Sequence, residues 1–258
     1  METTSIQNVQ TRKGIAKQPA LIIEHLYKQF GTNKVLDDFN LTVYKEENVV
    51  VLGKSGSGKS VLIKCIIGLL KPDKGNIYVF GENIINLTHE QLDRARSKIG
   101  FLFQGNAIYD SMTVRENLEF PLRRRWINLE QNEIDSMVKE ALENVHLGHT
   151  ENMMPSELSG GMIKRIALAR TMILKPEIIL YDEPTSGLDP VTAREIENLI
   201  LELQKKYHTS SIIISHDMGC VKKTADRIVL LLNGKCYAEG TYKDFKKSDD
   251  KNIKQFFE

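Results

Sequence analysis

Gly53-Lys54-Ser55-Gly56-Ser57-Gly58-Lys59-Ser60 satisfies the spacing G-x-x-x-x-G-K-[ST]. Its glycines let the main chain fold closely around an anion with amide hydrogens turned inward. Lys59 would neutralise the β and γ oxygens of a nucleoside triphosphate, and Ser60 would supply a hydroxyl to Mg²⁺. Further along, Ile178-Ile179-Leu180-Tyr181 delivers two carboxylates, Asp182 and Glu183, to the end of an apolar run. In that pattern Asp182 is read as the metal's partner and Glu183 as the group that orients or deprotonates an attacking water. His216 follows the run Ser211 to Ser215 in the same way, placed to report on the γ-phosphate.

Leu158-Ser159-Gly160-Gly161-Met162 opens a helical pattern with Ser159 as a suitable cap, so the amides at that helix start make a second anion site. One chain has no evident use for two. About a hundred residues separate Lys59 from Ser159, across a helical stretch. The pair becomes intelligible if two copies meet head to tail, each giving its phosphate loop to one face of an ATP and its Ser-Gly-Gly helix to the other; symmetry then creates two such sites. The γ-phosphate would join the copies and its hydrolysis would release them.

The elements that must carry these residues are legible in outline. Leu21 to Glu24 and Asn40 to Tyr44 alternate as half-exposed antiparallel strands do. Asn48 to Leu52 is continuously apolar after its first residue, as a parallel strand covered on both faces would be. It leads through the glycines into a helix over Lys59 to Leu70. Ile77 to Phe80 reads as a short strand, and Leu92 to Arg96, Gln131 to Val145 and Gly161 to Met172 as helices, with an irregular apolar stretch from Phe101 to Leu122. Ile178 to Tyr181 and Ile212 to Ile214 are buried strands around a helix from Thr192 to Tyr207. Val229 to Leu232, Asn233-Gly234 and Cys236 to Ala238 make a hairpin. The expected domains are a lead-in over 1–19, one domain over 20–245 with a helical lobe at about 92–173 inserted into the sheet, and a tail over 246–258.

Lys plus Arg total 35 against 34 for Asp plus Glu, a formal charge of +1 in 258 residues, which leaves no global field for nucleic acid. The three cysteines, Cys65, Cys220 and Cys236, are scattered and suggest neither a disulfide framework nor a metal cluster. A reducing compartment fits. No stretch approaches the ~20 apolar residues of a membrane span, and none near the start resembles a signal sequence.

With these motifs in order, the chain resembles the nucleotide-binding subunits of ABC transporters from about Leu21 onward. The resemblance implies an α/β fold, the P-loop NTPase of ABC type, with a mixed central sheet whose N-terminal part is antiparallel and a helical lobe inserted in it. It implies ATP and Mg²⁺, the nucleotide being touched by Gly53, Ser55, Gly56, Ser57, Gly58, Lys59, Ser60 and Val61, and across the dimer by Ser159, Gly160, Gly161 and the Asp189 loop. Phe30 sits where the family stacks an aromatic on adenine, with Tyr27 as a rival and core packing as the other reading of Phe30. Gln104 corresponds to the glutamine that touches Mg²⁺, beside Ser60 and Asp182, and senses the membrane partner. Glu183, His216, Gln104 and Lys59 are the implied catalytic set. Met162 departs from the usual signature, which ends in Gln.

The implied partners are a second copy of the chain and an integral-membrane permease pair, which place it peripherally on the cytoplasmic face of the plasma membrane. Leu158 to Met162, Phe101 to Tyr109, Met112 to Asn117 and Phe120 to Arg123 look like the ATPases of MCE-associated lipid transporters, whose partner is a periplasmic MCE lipid-binding protein. Amino-acid or lipoprotein-releasing ABC ATPases share many of these residues, and a soluble ATPase of iron-sulfur assembly is a further alternative. Tyr109, Met112 and Phe120 are read either as lining a groove for a permease helix or as core. Arg123-Arg124-Arg125-Trp126 is read either as approaching headgroups or permease or as a solvated helix start.

Overall fold

The computed structural model describes residues 18–123 and 127–257. The lead-in up to residue 17 and the Arg124-Arg125-Trp126 part of the basic run lie outside them. In chain order the main elements are β1 (Pro19–Phe30), β2 (Asn33–Tyr44), β3 (Asn48–Leu52), α1 (Lys59–Ile66), β4 (Lys74–Val79), β5 (Glu82–Asn83), α2 (His89–Ser97), β6 (Ile99–Leu102) and α3 (Val114–Glu119). There follow α4 (Gln131–Asn144), α5 (Gly160–Met172), β7 (Ile178–Asp182), α6 (Pro190–Tyr207) and β8 (Ser210–Ile214). The chain closes with α7 (Met218–Thr224), β9 (Arg227–Leu232), β10 (Lys235–Gly240), α8 (Tyr242–Lys247) and α9 (Lys251–Lys254). Two compact units result, one from the described residues up to Arg96 and from Ser210 onward, the other from Ser97–Thr209.

In the first unit β1 pairs antiparallel with both β2 and β4, while β3 lies parallel between β8 and β9 and β10 returns antiparallel on β9. All five residues of β3 and all five of β8 are buried, the signature of strands covered on both faces. Each Val or Ile so placed contributes roughly 1.5–3 kcal/mol.

β1 and β2 each run to 12 residues, well beyond the alternating stretches that announce them. His25 and Asp38 both sit at left-handed φ, and the register slips between Ile23 and Leu26. The slip breaks the period-two pattern. Helix α1 is shorter than its apolar spacing suggests, because Gly68 turns to φ +68 and the amides of Gly68 and Leu70 fold back on the carbonyls of Cys65 and Lys64.

The antiparallel and parallel strands of this unit are tied by Arg227 at the start of β9. Its guanidinium grips Glu47 through Nε and Nη2 at 3.0 Å each, reaches Glu239 at 2.7 Å and donates to the carbonyl of Thr42 on β2 at 2.5 Å. Cys65 and Cys220 are buried and Cys236 partly so.

In the second unit β6 and β7 pair in parallel and α5 packs against α3, α4, α6 and β6. The strand Ile99–Leu102 corrects the reading of this region as irregular from Phe101 onward. Only four residues long, with Gly100 in its middle, it is too short to show a period. Gly100 is there because a Cβ would lie 2.8 Å from Thr171 Cγ2 and 2.9 Å from Pro176 Cγ.

Replacing Arg227 by Met leaves Glu47 buried without its counter-charge, a loss of about 3 kcal/mol. Urea denaturation should show a lower midpoint with an unchanged slope.

Candidate functional site

In the first unit the phosphate loop leaves β3 and enters α1. The helix has no side-chain cap and no acidic residue in its first turn, so its leading amides face outward as an anion site needs. Gly58 takes φ +103, and a Cβ on it would lie 2.7 Å from Val35 Cγ1 and 2.9 Å from the Val35 carbonyl. No other residue fits that turn against β2. Lys59 is buried, its ammonium donating to the carbonyls of Gly53 at 2.8 Å and Lys54 at 2.9 Å. Ser57 Oγ is buried with no hydrogen-bond partner among the described residues. An orphan hydroxyl, uncapped amides and an ammonium folded onto the same loop fit a bound phosphate chain.

His216 arrives at this loop by register. β3 and β8 pair Val51 with Ile214, so Gly53 and His216, each two residues on, leave adjacent strand ends. His216 is exposed. Phe30, at the end of β1, is 49% exposed with Lys28 Nζ 5.5 Å from its ring centre. That exposure removes core packing as the reading of Phe30. Tyr27 is half-buried within the sheet.

The second unit repeats the device. β6 and β7 pair Leu102 with Tyr181, so Gln104 and Glu183, each two residues on, follow adjacent strand ends. Asp182 is the last residue of β7, and Glu183 turns to φ +52, a left-handed backbone that swings the chain away from the strand line at the carboxylate. Gln104 is exposed, and its carbonyl accepts from Lys164 Nζ at 3.3 Å.

Ser159 caps α5, its hydroxyl accepting from the amide of Met162 at 3.3 Å. The hydroxyl keeps its own proton, so capping leaves a donor pointing out of the helix start. A cleft of about 490 Å³ opens there, lined by Ser159, Gly161, Arg165, Gly187, Asp189 and Thr192 among others. Asp189 serves this cleft as the cap of α6. Its carboxylate accepts from the amides of Val191 and Thr192 at 2.9 and 3.1 Å and from the Thr192 hydroxyl at 2.5 Å. The Thr192 hydroxyl, chiefly, holds the carboxyl below the ordinary range. Gly161 is a contact glycine: a Cβ would lie 2.7 Å from Thr192 Cγ2, so it is what lets α5 approach α6.

Tyr109 and Phe120, 42% and 44% exposed, pack together with ring centres 4.8 Å apart. Met112 is half-buried. Core packing is therefore not the role of this aromatic pair.

A family model described as ABC transporter matches residues 36–186. The chain belongs to the ABC transporter family. It is one of the family's ATPase domains. It is 36% identical to the intermembrane phospholipid transport system ATP-binding protein MlaF of Haemophilus influenzae, over 93% of this chain and 90% of that protein. It is 37% identical to the methionine import ATP-binding protein MetN 1 of Bacillus cereus, over 86% of this chain and 65% of that protein. Among solved structures it resembles a dimeric ATP-binding cassette in a post-hydrolysis state bound to ADP and Pi, with 30% identity, a TM-score of 0.77 and coverage of 86% of this chain and 98% of that one. The fold expected of an ABC-type P-loop ATPase is thereby shown.

Sequence reading missed Thr192, Arg165 and Glu195, which shape the signature cleft. Arg165 Nη2 meets Glu195 Oε2 at 2.5 Å, thirty residues away in the chain. No local spacing signals a helix-to-helix contact of that separation. Gly161→Ala should push α5 off Thr192 and lower both stability, by about 1–3 kcal/mol, and ATPase turnover. Adding Thr192→Ser, which removes the methyl and keeps the hydroxyl for Asp189, should restore most of both, read by thermal melting and phosphate release.

Proposed function

We propose that the chain powers a transporter moving lipid between membranes, and that it does so as a head-to-tail dimer enclosing two ATP molecules. The observation that carries the cargo is the likeness to a phospholipid-transport ATPase over 90% of that protein. The likeness to a methionine-import ATPase makes amino-acid transport the second reading. Among the described residues no helix is long and apolar enough to cross a membrane, so a separate membrane-spanning permease pair is the partner this reading requires, with an MCE-type protein beyond it. The chain would then sit peripherally on the cytoplasmic face. The exposed Tyr109 and Phe120, beside the Gln104 segment, are the surface we assign to a permease helix.

Within the dimer, the amides of the phosphate loop and Lys59 hold the β and γ phosphates, and Phe30 stacks on the base. Ser60, Asp182 and Gln104 are the residues that would hold Mg²⁺, which neutralises charge on the phosphates when bound. Glu183 takes the proton of a water as its oxygen bonds to the γ-phosphorus and the bond to the ADP oxygen breaks, giving ADP and phosphate. His216 donates to the γ-phosphate, and the Ser159 hydroxyl with the amides of Gly160 and Gly161 meets it from the second copy. Met162 contributes its amide to the Ser159 cap, so the Gln-to-Met change leaves these donors intact.

Glu183→Gln should bind ATP, sediment as a dimer with it, and hydrolyse it roughly 10²- to 10³-fold more slowly. Ser159→Ala in that background should return the species to monomer; a persisting dimer would remove the signature from the interface. Lys59→Ala should weaken ATP binding about a hundred-fold in titration calorimetry. Phospholipid found by mass spectrometry in complexes extracted from the native membrane, and raising their turnover, would support the lipid reading. Stimulation by an amino acid instead would assign the second.

A further inference from the structure

Helix α5 carries a lysine on its packed side. Lys164 is 2% exposed, and burial pushes its ammonium below the ordinary lysine range. Lysine is rarely kept at such depth without a partner. Among the described residues its hydrogen-bond partner is the main-chain carbonyl of Gln104, at 3.3 Å.

Two more α5 side chains reach the same segment. Arg170 donates from Nη2 to the carbonyl of Asn106 at 3.2 Å and from Nη1 to Asn117 Oδ1 at 3.4 Å, its guanidinium 5.7 Å from the ring centre of Tyr109. The Thr171 hydroxyl lies 3.3 Å from the carbonyl of Phe101 while donating to Ala167 at 2.8 Å. The lysine and arginine contacts are long, so each alone holds weakly; two charged donors from one rigid helix hold the short segment at two points.

The segment they hold is strained. Asn106 and Ala107 lie at φ +62 and +53, and the Ala107 amide turns back onto the Gly105 carbonyl at 2.7 Å. Asn106 Oδ1 is buried with no hydrogen-bond partner among the described residues. A stretch kept in such a state rearranges when its supports are removed. Asn117 fixes the far end, accepting from the amide of Tyr109 at 2.9 Å and donating to the carbonyls of Tyr109, Met112 and Thr113.

We propose that Lys164 and Arg170 are positioning residues, a rack by which the helix headed by Ser159 carries the main chain around Gln104. The inference rests on the roles proposed above for Ser159 and Gln104. When ATP draws the Ser159 end of α5 onto the second copy, the Gln104 segment moves with the helix, and the metal-facing glutamine is set by closure itself. The same link runs backward: a push on the Gln104 segment shifts the signature helix.

The test uses the full chain with Lys164→Met, Lys164→Arg and Gln104→Ala. In Lys164→Met the amides of residues 101–108 should exchange with deuterium faster than in the parent, while those of α1 and β3 keep their rates. Its kcat should fall about tenfold, with KM for ATP within about twofold and half-saturation by Mg²⁺ raised in the same direction as in Gln104→Ala. Lys164→Arg should recover most of the rate. The Lys164→Met, Gln104→Ala double variant should be no slower than Gln104→Ala alone, because one residue acts through the other. Parental exchange at 101–108, parental kcat in Lys164→Met, or additive losses in the double variant would each overturn the proposal. Gln104→Ala with parental kcat and Mg²⁺ dependence would instead strike the role of Gln104, and the exchange rates would still decide whether the rack exists. Should Lys164→Met lose its cooperative melting transition, Arg170→Lys, which keeps the charge but cannot serve Asn106 and Asn117 together, carries the same measurements.

Discussion

Parallel strands that pair in step deliver the residues beyond their ends in step as well. β3 with β8, and β6 with β7, each align so that a phosphate loop glycine and a histidine, and a glutamine and a glutamate, follow adjacent strand ends by the same two residues. The chemistry assigned to this chain depends on that alignment. A slip of one residue in either pair would carry one group about 3.3 Å along the strand from its counterpart. The fully buried faces of β3 and β8 make such a slip costly, so the hydrophobic core and the precision of the site are one property.

Much of this was readable from the chain because the strands that matter are short and continuously apolar. Val49 to Leu52, Ile178 to Tyr181 and Ile212 to Ile214 each end abruptly in polar or glycine residues, and the structure ends its strands within a residue of those points. The hairpin of β1 and β2 was visible only in part, since bulges at His25 and Asp38 reset the alternation. β6 was lost because four residues carry no period. What no reading of spacing reaches is the set of side chains that act at a distance in sequence: Thr192 against Gly161, Arg165 on Glu195, Lys164 on the Gln104 carbonyl. Each is ordinary in its own helix, and its meaning comes from what folding sets opposite.

Helix α5 gathers several of those meanings. Its first turn offers a capped but still donating hydroxyl, its glycine admits α6, and its packed side bears two cations turned toward main-chain carbonyls. Cations in such a place cost desolvation that apolar side chains would not, and carbonyl partners recover it only in one arrangement of helix and segment. Such a helix therefore has a preferred neighbour geometry.

The β1–β2 hairpin has a metrical consequence. Phe30 and Asn33 pair at its tip, and two residues further along β2 the carbonyl of Val35 lies against Gly58 of the phosphate loop and against Gly234 of the β9–β10 turn. Strands advance by about 3.4 Å per residue. The span between the exposed ring and the loop is thus counted out by a fixed number of paired residues and braced where a strand and two turns of chain converge. A molecule gripped by both, as proposed for the nucleotide, is gauged for length by the sheet itself, in the manner of a caliper.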